Sequence, residues 1–340
     1  MAVSEVSVCD TLVLIMNGQR IDYIDWLKGL SIICVVWFHV PHPEFINFSF
    51  RMPLFFLLSG IFFKTVPFCT YLYRKTHQLL IPFIFFYLFY FGYMWVEYTY
   101  SPTHTGGFHP EVILDILNPK TAQLNQKVNP PLWFIMALIN LQLLTYALVY
   151  VLKRKWLVMT VAIFISAIGI MRLEQMPTYF MFGRSLRFLG YYVFGHLYGK
   201  QILGVIEKGV KSRWYFGALS VAVMGGTYYW ATTPQTPGHE AYVYVFNISL
   251  VMTLILLFRY VSRVPALRFF HFFGRNSYAV LGLHYMIVQI LYWLIYVYIG
   301  DRSPTVGIAM AVITLLLMVP VIHLLNRYFP RLVGKGKLKR

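Results

Sequence analysis

One apolar segment near the start of the chain carries charged and titratable residues at a spacing suited to acid–base chemistry. Asp25 and Lys28 stand at one end of this segment, and His39 follows the apolar run that ends at Phe38. In a helix, the step from Lys28 to His39 is close to three turns, so both residues face one side, about 16 Å apart along the axis. An ionisable residue inside a spanning segment costs about 2.5–3.5 kcal/mol on insertion scales and is a functional candidate. His39 is therefore a candidate catalytic residue, with a packed or interfacial histidine as the alternative.

The elements that must position these residues are apolar helices. Hydrophobic residues make up 59% of the 340 and charged residues 12%, about half the charged share of a soluble domain, which is typical of a membrane protein. Apolar runs bounded by charges, proline or glycine predict helices near residues 24–41, 48–66, 79–98, 131–152, 156–172, 184–203, 214–231, 241–260, 273–299 and 304–326. The predicted fold is all-α, a polytopic membrane helical bundle of about ten transmembrane helices.

The basic residues, which give a net charge of +17, cluster in every second connection. Connections 42–47 and 232–240 contain no lysine or arginine, and 99–130 contains two. This alternation predicts an even number of spans with both termini cytoplasmic, an N-in/C-in topology. Short basic clusters between apolar runs indicate topology and contact with membrane lipids, and no nucleic acid is expected. The basic clusters are Lys64, Arg74 and Lys75; Lys153, Arg154 and Lys155; Lys200, Lys208, Lys211 and Arg213; and Arg259, Arg263 and Arg268.

The connection at 172–187 breaks this pattern, because it should lie outside and yet carries three arginines, at 172, 184 and 187. Arg184 and Arg187 share one face of the helix that they open, at an i, i+3 spacing. They fit either snorkelling toward lipid headgroups or a positively charged mouth for an anionic ligand.

Domain organisation is predicted to be simple. No repeat divides the chain, so residues 20–330 are expected to form one transmembrane domain. A short segment, 1–19, precedes it and need not belong to the fold, since Met16 is an alternative start to Met1. A basic cytoplasmic tail, 331–340, follows. The cysteines at 9, 34 and 69 have no metal-ligand spacing, so no metal site is expected. The sequence has no Walker or Rossmann signature, and no permanently bound cofactor is expected.

Five stretches along the chain carry recognisable motifs in order. They are Arg20-Ile-Asp-Tyr-Ile-Asp-Trp-Leu-Lys28-Gly-Leu continuing to His39, Arg51-Met-Pro-Leu-Phe-Phe-Leu-Leu-Ser59-Gly60, Arg74-Lys-Thr-His77-Gln-Leu-Leu-Ile-Pro82, Pro131-Leu-Trp133-Phe, and Gly274-Arg-Asn-Ser277-Tyr continuing to Leu283-His284. Together they resemble the acyltransferase 3 family of membrane O-acyltransferases. That family's signature is Arg or Lys, ten residues, then His, and Lys28 and His39 match it. The resemblance covers nearly the whole chain from Arg20.

The resemblance implies transfer of an acyl group, most often acetyl, from cytoplasmic acyl-CoA. The acceptor would be a hydroxyl of a cell-surface glycan or of an undecaprenyl-linked sugar, at the cell inner membrane. Histidine suits the deprotonation of a hydroxyl near neutral pH, so His39 would act as the base or carry the acyl group briefly, with Asp25 orienting Lys28. Acetyl-CoA would be a co-substrate held by Lys28, Arg74, Lys75 and His77. Substrate-binding candidates are Ser59, Trp133, Arg184, Arg187 and His284.

One position departs from the family pattern. The basic motif usually has a second arginine three residues after the first, and here that position is His77. A neutral histidine there weakens the assignment to CoA phosphates, and Lys75 is the residue that would compensate.

Two other classes of protein fit the same features. A multi-pass transporter or flippase for a lipid-linked sugar would share the spans, aromatic residues and buried charges. A haem-binding membrane protein would use His39, His284 and His323 as ligands.

Overall fold

The computed structural model describes residues 21–42, 50–100, 107–117, 127–173, 179–207, 210–234, 238–298, 300 and 303–335. The predicted N-terminal segment 1–19, with both candidate start residues, and residues 336–340 of the basic tail lie outside the described residues. Within the described ranges every regular element is a helix, which confirms the all-α prediction.

Each predicted apolar run corresponds to one of the longer helices. Short 3-10 turns stand at Pro110–Leu117, Pro130–Leu132, Tyr179–Met181 and Pro265–Leu267. The helices in chain order are α1 (Asp22–Phe38), α2 (Arg51–Ile61), α3 (Phe68–Tyr100), α4 (Trp133–Leu152), α5 (Lys155–Ile168), α6 (Phe182–Leu186), α7 (Leu189–Glu207), α8 (Val210–Thr232), α9 (His239–Val261), α10 (Arg268–Arg275), α11 (Ser277–Tyr298) and α12 (Pro304–Tyr328).

By length and composition, five helices of the described part are long and apolar enough to cross a membrane. They are Phe68–Tyr100, Pro130–Leu152, His239–Val261, Ser277–Ile295 and Pro304–Tyr328. Two shorter apolar helices stand at Arg51–Ile61 and Lys155–Met171. The count of about ten spans and the N-in/C-in orientation stay predictions.

The third helix is irregular where the basic motif lies. It is α-helical over Phe68–Lys75, widens to a π-helix over Thr76–Leu80, and is α-helical again over Ile81–Tyr100. Pro82 stands at the start of the last part and has no N–H to donate to the carbonyl four residues earlier, a known cause of such a local widening. The bulge separates Arg74, which is exposed, from the apolar part of α3.

The first helix lies inside the bundle, in contact with α2, α9, α10, α11 and α12. Its crossing with α10 is close because glycines meet there. A Cβ on Gly29 would lie 1.8 Å from the carbonyl oxygen of Phe270, and one on Gly274 would lie 1.7 Å from that of Asp25. No side chain fits between the two backbones, so α10 holds the end of α1 that carries Asp25 and Lys28.

Helices α2 and α7 meet in the same way. A Cβ on Gly195 would lie 2.1 Å from the carbonyl oxygen of Leu57, and one on Gly60 would lie 2.0 Å from that of Tyr192. The glycine spacing at Gly195 and Gly199 thus serves close helix packing, the usual use of small residues four apart. This contact fixes α2 beside α7.

Candidate active site

An ion pair near the N-terminal end of α1 borders a cavity of the bundle. The Lys28 ammonium lies 3.4 Å from an Asp25 carboxylate oxygen, one turn earlier on the same helix. Asp25 is buried, whereas the Lys28 side chain is 26% exposed. Both residues line a cavity of about 480 Å³, which we call the lysine cavity and which is within the usual size range of ligand pockets.

The lysine cavity is also lined by two cations and a tyrosine, none of which the sequence assigned to a site. Lys64 follows α2, and Arg275 ends α10; both are exposed, so they stand at the open side. Tyr278 donates a hydrogen bond to the backbone oxygen of Leu79, 2.8 Å away, which ties α11 to α3. Arg275 and Tyr278 belong to the Gly274-Arg-Asn-Ser277-Tyr stretch, so the signal for them was present.

The residues assigned to acyl-CoA do not all meet in the lysine cavity. Of the sequence candidates, Lys28, Asp25 and Ser59 line it, so Ser59 lies with the donor candidates instead of with the substrate candidates. Arg74, Lys75 and His77 are absent from its described lining. His77 instead contacts the backbone oxygen of Tyr73 at 2.8 Å through Nδ1, one turn earlier on α3.

The cavity becomes apolar as it follows α1. Beyond Lys28 its walls include Ile32 and Val35, with Phe55 and Phe134 opposite. Val35 is ten residues from Asp25, about 15 Å along the helix axis, and His39 lies about 6 Å further on. The lysine cavity therefore runs from exposed cations to an apolar end about one turn short of His39.

His39 lies at the C-terminal end of α1 against a second histidine. Its ring centroid is 5.2 Å from that of His284 on α11 and 5.1 Å from that of Tyr285. His284 is fully buried, and its Nδ1 lies 2.7 Å from the backbone oxygen of Val280. A carbonyl oxygen only accepts, so Nδ1 carries the hydrogen and Nε2 has the lone pair. That Nε2 is buried and has no hydrogen-bond partner among the described residues.

The last helix fixes the turn that follows His39. A Cβ on Gly307 would lie 1.6 Å from the carbonyl oxygen of Pro41, so α12 passes directly against this backbone. Val40 packs with Val288, Met310 and Ala311 in a small apolar cluster. Helices α11 and α12 thus set the position of His39 relative to His284.

Three of the predicted substrate residues lie together around a second cavity. Trp133, Arg184 and Arg187 line a space of about 220 Å³ with Arg51, which we call the arginine cavity. The Arg184 guanidinium carbon lies 4.3 Å from the centre of the Trp133 ring. Arg187 lies 3.9 Å from a carboxylate oxygen of Glu240 on α9.

Two residues connect the arginine cavity with the rest of the site. The Arg51 guanidinium carbon lies 3.7 Å from the centre of the Phe38 ring, and that ring is 5.7 Å from the His39 ring. Met52, the next residue, lines both cavities. The start of α2 therefore forms the wall between the lysine cavity and the arginine cavity, close to His39.

The histidines proposed for haem do not converge as a set of three. His323 lies 16 residues beyond Gly307 on α12, about 24 Å along the axis from the His39 end, where it is exposed and contacts Phe272. In the part of the chain that the structure describes, no three His, Cys, Asp or Glu residues come close enough to hold a metal ion.

Comparison with known proteins identifies the family of this chain. A family model described as an acyltransferase domain, that of acyltransferase family 3, matches residues 21–326, nearly the whole chain. No curated protein and no solved structure gives a significant match. The match covers both cavities and both histidines of the site, and the chain therefore belongs to the acyltransferase 3 family of membrane acyltransferases.

Proposed function

We propose that this protein transfers an acyl group, with acetyl as the first choice, from cytoplasmic acyl-CoA to a hydroxyl of a cell-surface glycan or a lipid-linked sugar, at the cell inner membrane. The observation that carries this proposal is the layout of α1. One end of the helix lines the lysine cavity, and the other end carries His39 beside His284.

The donor end is supported by charge and shape. Lys64 and Arg275 at the open side would meet the phosphates of CoA, and Lys28 lies deeper. The narrow, uncharged pantetheine arm would follow the apolar walls toward Val35. Arg74 and Lys75 lie outside the described lining of this cavity. Their proposed role is therefore limited to binding the nucleotide end of CoA.

The reaction end is supported by the two histidines. His39 would take the proton of the acceptor hydroxyl while the hydroxyl oxygen attacks the thioester carbonyl carbon. The carbon–sulfur bond then breaks, and the CoA thiolate leaves and takes up a proton. In the two-step variant, a His39 nitrogen attacks first and holds the acyl group before the hydroxyl receives it. His284, with its buried Nε2 lone pair, would hold the donor N–H of His39 in either route.

The acceptor end is assigned to the arginine cavity. Trp133 lines this cavity with the Arg184 guanidinium stacked on its ring. Arg184 and Arg187 carry hydrogen-bond donors suited to a polar acceptor. Arg51 and Phe38 place this cavity next to His39.

The test is transfer by the purified protein in detergent, with acetyl-CoA as donor and release of the CoA thiol as the readout. His39→Ala should lower the rate by about 10²–10⁴-fold, the usual contribution of a general base. His323→Ala is the matched control, because this exposed histidine lines neither cavity.

Transfer by His39→Ala at the wild-type rate would remove His39 from the mechanism. Wild-type protein that binds a lipid-linked sugar but never cleaves the thioester would favour the transporter alternative. Absorption in the haem band by the purified protein would favour the haem alternative.

A further inference from the structure

We infer that the acceptor is an anionic sugar, one whose ring carries a carboxylate or a phosphate, and that the arginine cavity selects it by that charge. This inference rests on the proposed function and adds the chemical class of its acceptor. The inference adds Arg51, Asn247 and Glu240 to the residues of the acceptor site.

Among the described lining residues of the arginine cavity, cationic side chains outnumber anionic ones. Of its described lining residues, Arg51, Arg184 and Arg187 are cationic and Glu240 is anionic. Two of the guanidinium groups lie over aromatic rings, Arg51 over Phe38 and Arg184 over Trp133. Such stacking uses the face of a guanidinium, and the donors along its edge match the paired oxygens of a carboxylate or phosphate in geometry.

The location of the cavity favours a sugar over a lipid headgroup. Its walls come from α2, α4, α7 and α9, from Ile170 just after α5, and from residues at and just after α6. It therefore lies between helices and not on the outer face of one helix. Arg184 and Arg187 are half-buried there. Snorkelling side chains instead extend along an outer helix surface toward the interface.

A buried amide oxygen in the cavity is a further acceptor to which a ligand hydroxyl could donate a hydrogen bond. Asn247 lines the cavity and is 2% exposed. Its side chain makes a hydrogen bond with that of Tyr191, and its buried Oδ1 atom accepts no hydrogen bond from any described residue. A buried acceptor left without a donor costs about 1–3 kcal/mol. An acidic sugar carries both kinds of group. Its anionic group would bind the arginines, and one of its hydroxyls would donate a hydrogen bond to Asn247.

Glu240 acts as an internal competitor for the anion. Its carboxylate is half exposed and lies 3.9 Å from Arg187, a distance at which an entering anion could displace it. Removal of the Glu240 charge should therefore strengthen binding of an anionic acceptor and leave a neutral one unaffected.

The distance to His39 links binding to reaction. Arg51 lies over Phe38, whose ring is 5.7 Å from the His39 ring. An anionic group held at Arg51 thus brings the neighbouring hydroxyls of the same sugar toward His39.

The experiment compares matched acceptors that differ by one charged group: methyl β-D-glucoside, methyl β-D-glucuronide and methyl glucoside 6-phosphate. We expect kcat/KM to be at least tenfold higher for an anionic sugar than for the glucoside. Arg184→Gln should remove most of that preference and Arg184→Lys part of it, whereas Glu240→Gln should increase it several-fold. The two anionic sugars distinguish a carboxylate acceptor from a phosphate acceptor.

Arg263→Gln is the matched control, because Arg263 also stacks on an aromatic ring, that of Tyr260, and lines neither cavity. Equal kcat/KM for the neutral and anionic sugars, or a preference unchanged by Arg184→Gln, would overturn the inference.

A second readout separates this inference from the proposed function. Protection against thermal unfolding by each sugar, without acyl-CoA, reports binding alone. Protection by the anionic sugars that Glu240→Gln strengthens supports the anion site even if no acyl transfer occurs. Protection by phosphatidylglycerol that Arg184→Gln removes, with none from the anionic sugars, would assign the arginines to a lipid headgroup and refute the inference.

Discussion

At the scale of single residues, the site depends on the relation between His39 and His284. The hydrogen on Nδ1 of His284 is set by Val280, one turn earlier on the same helix. This leaves Nε2 as a buried acceptor beside the His39 ring, 5.2 Å between centroids. A histidine held in one tautomer can orient a second histidine, as a carboxylate does in a catalytic triad. His284 is therefore a positioning residue for His39.

His284→Ala should lower kcat by about tenfold to a hundredfold with a smaller change in the KM for acyl-CoA, because the lysine cavity does not include His284. His284→Phe keeps the volume but lacks the lone pair, so it should lose activity to the same degree. Steady-state kinetics of both variants check this. A His284→Phe enzyme as active as wild type would show that His284 only fills space.

A second prediction at the residue scale is that Lys28 affects use of the acyl donor and not of the acceptor. Lys28→Ala removes a charge-assisted contact worth about 1.5–3 kcal/mol, so the KM for acetyl-CoA should rise about tenfold to a hundredfold with acceptor KM unchanged. His77→Arg, which restores the family pattern, should leave donor use equal or better. An acceptor-specific defect in Lys28→Ala would move Lys28 away from the donor.

At the scale of elements, the glycine contact of α1 with α10 sets the register of the lysine cavity. The carbonyl of Asp25 and the backbone of Gly274 touch, so Lys28 and Arg275 come to the same cavity. Gly29→Ala should destabilise the fold by about 1–3 kcal/mol through overpacking. Thermal unfolding in detergent measures this loss of stability. Gly92→Ala is the control, because an added Cβ there meets nothing within 4 Å. Equal stability of the two variants would contradict the contact.

A second prediction at this scale concerns the wall between the two cavities. Met52→Ala removes the flexible side chain that both cavities share, so longer acyl groups should fit. The ratio of kcat/KM for butyryl-CoA to that for acetyl-CoA should rise about tenfold, the worth of one or two methylenes in a pocket. Met136→Ala, buried on α4 and lining neither cavity, is the control. An unchanged ratio would show that Met52 does not limit the acyl group.

At the scale of the whole molecule, aromatic residues and loop charges indicate how the bundle sits in a bilayer. Helix α8 carries exposed Trp214 and Tyr215 near one end and exposed Tyr228, Tyr229 and Trp230 near the other. Sixteen residues separate Trp214 from Trp230, about 24 Å of helix. This spacing suits aromatic belts at two interfaces and supports α8 as a further span beyond the five selected by hydropathy.

The N-in/C-in prediction gives a labelling test in a background without the three native cysteines. In intact cells, a membrane-impermeant maleimide should label Thr233→Cys and His42→Cys but not Ser262→Cys. The first two follow apolar helices on the side poor in lysine and arginine, and the third lies beside Arg259 and Arg263. Labelling of His42→Cys only after the cells are opened would place His39 near the cytoplasm and contradict the N-in/C-in prediction.

The sequence by itself determined the helical membrane class, the course of the helices and the family, because these follow from local composition, from charge alternation and from motifs of fixed spacing. The pairing of Lys28 with Asp25 was also predictable, since both lie on one helix, three residues apart.

Only the tertiary structure decided which distant residues share a cavity. Lys64 and Arg275 join Lys28, Ser59 moves to the donor side, and Arg184, Arg187 and Trp133 meet Arg51 and Asn247. The physical reason is that such meetings depend on helix crossings, set by glycine contacts such as Gly29 with Phe270 and Gly307 with Pro41. The partner backbone at each contact is far away in the chain, so no local pattern contains it.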